Sequence, residues 1–284
     1  MSDVAEEQGA TPGSEDDVSS YRMPLLQHLE ELRTRLIHAM IIYAVCLVGC
    51  VVFSPNLFQL LIHPAVEYLP EGTSFVYTKL PEAFITYLKV ALLASVFLSS
   101  PFLFFQGWKF VAPGLYKSEK RMVFPFVLFS TLLFLSGAVF CYLAVLPWAC
   151  KFFLAYGADP ETSIQPMLTI SEYLAFSTRL LLAFGLVFEL PLAMMFVGRA
   201  GLIRHQKLRK LRPFALVAAF VGASLITPPD VVTQVALGLP LMLLYEVGIW
   251  LVWWVQPKEK AKGDDEGDDK GDDDGDEAEA KPAK

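Results

Sequence analysis

The chain lacks the usual marks of a metal centre or a nucleophilic active site. Its four histidines and four cysteines show no metal-ligand spacing. Cys46, Cys50, Cys141 and Cys150 all lie in or beside apolar runs, where a thiol serves as a small hydrophobe. There is no HExxH, no GxSxG elbow and no glycine loop able to cradle a phosphate, so no enzyme activity, no cofactor and no nucleotide-driven step is expected. The acidic run GDDEGDDKGDDDGDEAEA lacks the ligand spacing and flanking helices of a calcium loop, and reads as solvated low-complexity sequence.

Apolar sequence is what the chain has in abundance. Of 284 residues, 54% are hydrophobic and 13% aromatic, and mean hydropathy is +0.45, too apolar for a soluble domain of ordinary make-up. The net charge of −7 hides three zones. Residues 1–20 carry six acids and no base, residues 257–284 carry twelve acids and six bases, and the stretch between them is net +5. Neither end has the apolar residues needed to offset the chain entropy of folding. Residues 1–20 and 256–284 are therefore expected to be disordered acidic tails on a membrane domain spanning 21–255.

A hydrocarbon core of about 30 Å needs roughly 20 apolar residues as helix. Six segments meet or approach this, at about 36–54, 82–106, 122–148, 171–198, 213–227 and 231–255, after an amphipathic lead-in over 22–36. The fold class expected is an all-α polytopic membrane protein with six transmembrane helices. Arg22, Arg33 and Arg35 precede the first span; Lys109, Lys117, Lys120 and Arg121 lie between the second and third; six more bases from Arg199 to Arg212 lie between the fourth and fifth. The opposite loops offer only Lys79 and Lys151, so the positive-inside rule puts both termini in the cytoplasm. Pro81 suits a first helical position, and Thr169 with Glu172 has capping-box spacing. Pro101, Pro125, Pro147, Pro191 and Pro240 each remove a backbone donor, which predicts a curved bundle. The fifth segment, at about 22 Å, is shorter than the hydrocarbon layer and calls for local thinning or shielding.

The stretch HLEELRTRL, His28 to Leu36, concentrates charge just before the first span. On a helix, His28, Glu31 and Arg35 share one face, while Leu25, Leu29, Leu32 and Leu36 form a separate apolar stripe. Two readings fit: an interfacial helix with an i,i+4 ion pair worth a few tenths of a kcal/mol, or a charged recognition surface. A second patch on the same side, GLYKSEKR from Gly114 to Arg121, offers Ser118 as a helix cap and Glu119 in the first turn, where an acid complements the helix dipole.

Four motifs, HLEELRTRL, APGLYKSEKR (Ala112–Arg121), FGLVFELP (Phe184–Pro191) and LITPPDVVTQ (Leu225–Gln234), occur in an order that resembles the TatC family, the multispanning receptor of twin-arginine protein translocation. The resemblance covers about residues 21–255. It implies a curved TatC-like bundle in the bacterial inner membrane, a hetero-oligomer of several copies with single-span partners of the TatA and TatB type, and transport driven by the proton motive force. Folded cargo would dock through twin-arginine signal peptides at the cytoplasmic face, with no nucleic acid involved. The family pattern puts signal binding on Glu31 and Glu119, since a guanidinium fork is well matched by a carboxylate. Glu30 occupies a variable position and inherits no role. Arg33 and Arg35 are expected to orient the acids and meet lipid phosphates, or to act as positive-inside anchors. His28, Lys117 and Arg121 complete the expected site.

Charges also fall inside the spans. Glu189 lies deep in apolar sequence, where an unpaired carboxylate costs several kcal/mol. It is either a structural acid satisfied within the bundle or, as the resemblance implies, a contact for the single-span partners. Arg179 is about 15 Å from it along a helix axis, too far for a direct pair. Lys89 and Glu246 are further intramembrane charges, and Asp230 and Gln234 combine a helix-start role with an implied part in partner assembly. The competing function is an ion-coupled secondary transporter using these charges, although the order of the spans shows no internal repeat.

Overall fold

The lead-in and the first span form one helix. In the computed structural model, which describes residues 25–69, 73–111, 123–157, 167–226 and 231–256, α1 runs unbroken from Leu25 to Val52. No proline or glycine interrupts that sequence before Gly49. Glu31 and Arg35 therefore ride on the same rigid rod as the membrane span. Both acidic tails, the loop with Lys117, Glu119 and Arg121, and Asp230 lie outside the described residues.

A short helix not anticipated from the hydropathy follows directly. α2, Ser54–Val66, starts with Pro55 in its first turn, where the missing N–H costs nothing. Two tyrosines from later spans fasten it, Tyr142 Oη donating to Leu60 O and Tyr173 Oη to Leu61 O, both at 2.8 Å. Leu61 and Ala65 are thereby drawn into the main core with Leu146, Leu174, Leu180 and Phe184.

The chain continues as α3 (Glu82–Val111), α4 (Val123–Phe140), a π-helical turn (Cys141–Val145), α5 (Leu146–Gly157), α6 (Ile170–Phe188), α7 (Leu190–Arg199), the short α8 (His205–Lys210), α9 (Arg212–Ile226) and α10 (Val231–Val255). Among the described residues, five helical runs are long and apolar enough to cross a membrane, and the shorter apolar helix Arg212–Leu225 makes the sixth. The helices pack chiefly as α1 on α3, α3 on α4, α4 on α6, and α10 on both α7 and α9.

Of the prolines expected to bend the spans, Pro147 and Pro191 stand where the α-helical hydrogen bonding is locally interrupted, while Pro101 and Pro240 lie within unbroken helices. Pro147 has no N–H for the carbonyl of Leu143, and the π turn Cys141–Val145 lies across that gap. Pro191 likewise leaves the carbonyl of Val187 without its helical donor, and the fourth span divides into α6 and α7 at Glu189. At Pro101 a side chain replaces the missing donor: Ser100 Oγ donates to Phe97 O at 2.7 Å, satisfying the carbonyl that Pro101 cannot reach.

Small residues set the helix spacing. A Cβ at Gly137 on α4 would lie 2.6 Å from Phe184 O, and one at Gly185 on α6 would lie 2.7 Å from the Phe134 ring. Gly198 and Gly248 make similar approaches to Val252 and Met194. Close approach through glycine is the usual packing device where lipid removes the hydrophobic drive between helices.

At the end of the bundle where α3 begins, one carboxylate organises the loop. Glu82 Oε2 accepts from Thr78 N at 2.6 Å, Lys79 N at 3.1 Å and Thr78 Oγ1 at 3.2 Å, while Oε1 accepts from Ser171 N at 3.3 Å. Val76 adds a parallel bridge to Thr169. The capping box expected at Thr169 is not formed: Thr169 occupies the cap position, but its hydroxyl makes no capping bond. Glu82 takes the Ser171 donor from across the chain instead.

Candidate functional site

The charged stretch of α1 lies against the last turns of α3 at the opposite end of the bundle, and a cleft of about 630 Å³ opens between them. Glu30, Glu31, Thr34, Arg35 and His38 line one wall, Gln106 and Lys109 the other. Arg35 Nε donates to Glu31 Oε1 at 3.0 Å, and Arg35 Nη2 converges on the same oxygen. About a fifth of each side chain remains exposed. Both bonds fall on Oε1, so the lone pairs of Oε2 stay available to another donor. Lys109 Nζ sits 4.6 Å from the centre of the Phe105 ring, a cation–π placement that turns its stem along α3.

The remaining expected residues distribute unevenly. His28 is not on the cleft wall; it stacks on Phe110 at 4.4 Å and 17°, clamping α1 to α3. Arg33 is exposed, on a different face from Arg35. His38, Gln106 and Lys109 belong to the cleft although the sequence singled out only Lys109, as an orienting base. Their signal was positional: Gln106 and Lys109 stand at i,i+3 near the end of the second apolar run.

A second polar site lies deeper. Glu189 stands at the α6–α7 break, facing Ser130 and the backbone at Phe134 on α4. Its Oε1 is shielded from solvent and has no hydrogen-bond partner. Ser130 is fully buried and accepts from Trp108 Nε1 at 2.9 Å. Trp108 itself packs against Phe126 and Phe196. α3 thus contributes Gln106 and Lys109 to the cleft and Trp108 to the surroundings of Glu189.

Glu246 and Gln234 have structural partners, while Lys89 and Arg179 are exposed. Arg212 Nη2 donates to Glu246 Oε2 at 2.6 Å, tying the start of α9 to α10. Sequence could not choose a partner for Glu246, because Arg212 lies 34 positions away. Gln234 Nε2 donates to Phe220 O at 3.0 Å, joining α9 and α10 near their other ends.

Comparison with known proteins identifies the family of this fold. Residues 27–240 match the family described as TatC, Sec-independent protein translocase protein. The TatC of Desulforapulum autotrophicum is 46% identical over 228 residues, covering 80% of this chain and 83% of that protein. The TatC of Escherichia coli K12 is 40% identical over 227 residues, covering 80% and 87%. A crystal structure of the twin-arginine translocase receptor TatC superposes with a TM-score of 0.72 at 36% identity, covering 80% of this chain and 99% of that one. A second, solved in the detergent DDM, gives 0.73 at 37% identity over 79% and 98%. The six-span membrane fold is therefore that of a protein translocase component, not an enzyme, and the chain is a member of the TatC family.

Proposed function

We propose that this chain is the signal-peptide receptor of a twin-arginine translocase, and that Glu31 accepts a guanidinium of the signal. The observation that carries this reading is the geometry of the Glu31 carboxylate. Arg35 occupies one oxygen of an acid that lines an open cleft, and a partly desolvated carboxylate binds a guanidinium more strongly than a water-screened one. Glu119 supplies the second acid for a paired-arginine ligand. Arg35 orients Glu31, Lys117 and Arg121 flank Glu119, and Arg33 faces lipid phosphates.

The bases before the first span, between spans two and three, and between spans four and five support a cytoplasmic cleft, with both termini on that side of the bacterial inner membrane. Glu189, Asp230 and Gln234 are the contacts for single-span TatA- and TatB-type partners in a hetero-oligomer of several copies, powered by the proton motive force.

The test is binding of a labelled signal peptide, carrying Arg-Arg or Lys-Lys, to membranes holding wild type or the Glu31→Ala, Glu119→Ala double variant. Wild type is expected to prefer Arg-Arg and the double variant to lose that preference. Equal binding of both peptides by wild type in the presence of its partners would sink the receptor reading.

A further inference from the structure

We propose that the junction of α8, α9 and α10 is a binding site for the phosphate of an anionic phospholipid, separate from the signal cleft and independent of signal binding. A cleft of about 220 Å³ there is lined by His205, Arg209, Arg212, Ile249, Trp250 and Trp253. Its walls are fixed. Gln256 Oε1 accepts from His205 N at 3.1 Å, Gln256 Nε2 donates to Ile203 O at 2.7 Å, and Tyr245 Oη donates to Leu208 O at 2.9 Å. Beneath them Leu208, Ile249 and Val252 form a small apolar core.

The site is cationic. Arg209 and Arg212 line it, and no acid does. Glu246 occupies Nη2 of Arg212 but leaves Nε, shielded from solvent, with no acceptor. Arg209, in the last turn of α8, and Arg212, at the start of α9, both line the cleft, so a single anion seated there meets both guanidiniums.

The lower part of the cleft identifies the anion as the head of an amphiphile. Trp250 and Trp253 are 74% and 60% exposed on an apolar membrane helix, at the level where indoles mark the headgroup boundary. A soluble phosphate would use the arginines alone, whereas a phospholipid fills the polar rim and lays its chains along Ile249 and the two indoles. α9 gives the lipid a role. This helix has only 15 residues, about 22 Å at 1.5 Å per residue, so a headgroup drawn in at Arg212 accommodates the thin bilayer that the short span requires.

The test is native mass spectrometry of the full-length protein in detergent, titrated with phosphatidylglycerol, with phosphatidylcholine of the same acyl chains, or with inorganic phosphate. Wild type is expected to hold one phosphatidylglycerol about tenfold more tightly than phosphatidylcholine. Arg209→Gln alone should reduce that preference about fivefold. Adding the charge-balanced pair Arg212→Gln, Glu246→Gln, which leaves no unpaired acid behind, should abolish it. Equal affinity of wild type for the two lipids, or a preference that survives the triple variant, overturns the proposal. Arginine-dependent binding of inorganic phosphate without a lipid preference also overturns it, in favour of a soluble anion. A preference that emerges only after deletion of residues 257–284 overturns it in favour of the acidic tail as occupant.

Discussion

Arg35 holds Glu31 through one carboxylate oxygen, with Nε at 3.0 Å from Oε1 and Nη2 on the same atom. The pair lies one turn apart on a helix whose continuation is the first membrane span, so the acid's position is tied to the membrane rather than to a loop. An i,i+4 pair within one helix contributes only a few tenths of a kcal/mol to stability, and the geometry makes more sense as orientation of a binding group.

Glu31→Gln is therefore expected to separate binding from folding. A hydrogen bond between charged groups is worth about 1.5–3 kcal/mol, so affinity for an Arg-Arg signal should fall at least tenfold. Loss of the pair with Arg35 should cost about 0.5 kcal/mol or less. Peptide titration and thermal unfolding of the same preparation check both halves, and a melting temperature that collapses with the affinity would make Glu31 a structural residue.

Glu189 is expected to show the opposite trade. Its Oε1 is buried without a partner, and an unsatisfied buried group costs about 1–3 kcal/mol. Glu189→Leu removes that cost together with the contacts to Ser130 and the Phe134 backbone, so the two effects offset and stability should change by no more than about 1–2 kcal/mol, while export of a reporter carrying a twin-arginine signal falls. A stable but inactive variant is the mark of a residue retained for function. If Glu189→Leu unfolds the protein, the acid is satisfied within the bundle after all.

Much of this was legible in the sequence, for identifiable reasons. Spans, the charged lead-in and the intramembrane Glu189 follow from hydropathy and from charge set against it, which are local properties. The break at Glu189 was also encoded, in Pro191 two residues later, but a proline reads equally as a bend or a break until the packing of α6 and α7 decides. What stayed hidden was long-range pairing. Glu246 with Arg212, Glu82 with Ser171, and Tyr173 with Leu61 join residues far apart in the chain, and no spacing rule connects them. The helix α2 was missed because Phe53 to Val66 continues the apolar character of the first span.

Glu82 makes a prediction about the bundle's other end. Its two oxygens accept from Thr78, Lys79 and Ser171, linking the loop before α3 to the start of α6. Glu82→Ala should release all of these donors and expose residues 73–81 to protease and to thiol reagents on an introduced Thr78→Cys. Glu82→Gln, which keeps one acceptor oxygen, should fall between the two. Unchanged accessibility in Glu82→Ala would mean that the Val76–Thr169 bridge holds the loop unaided.

Helix spacing around Glu189 gives the last prediction. Gly185 lies one turn before Glu189, and a Cβ there would sit 2.7 Å from the Phe134 ring, on the helix whose Ser130 faces the acid. Gly185→Ala should therefore overpack the α4–α6 contact and cost about 1–3 kcal/mol. Gly222→Ala, with nothing within 4 Å of the new Cβ, should be neutral or stabilising by up to about 1 kcal/mol, since alanine is the better helix former. The clash is with one ring, so Phe134→Leu in the Gly185→Ala background should recover stability, although Phe134→Leu alone lowers it. That sign reversal in a double-mutant cycle, read by thermal unfolding, is the signature of direct contact. If the two losses simply add, the close approach of α4 and α6 is relieved by movement elsewhere, and the glycine does not set the position of the helix that carries Glu189.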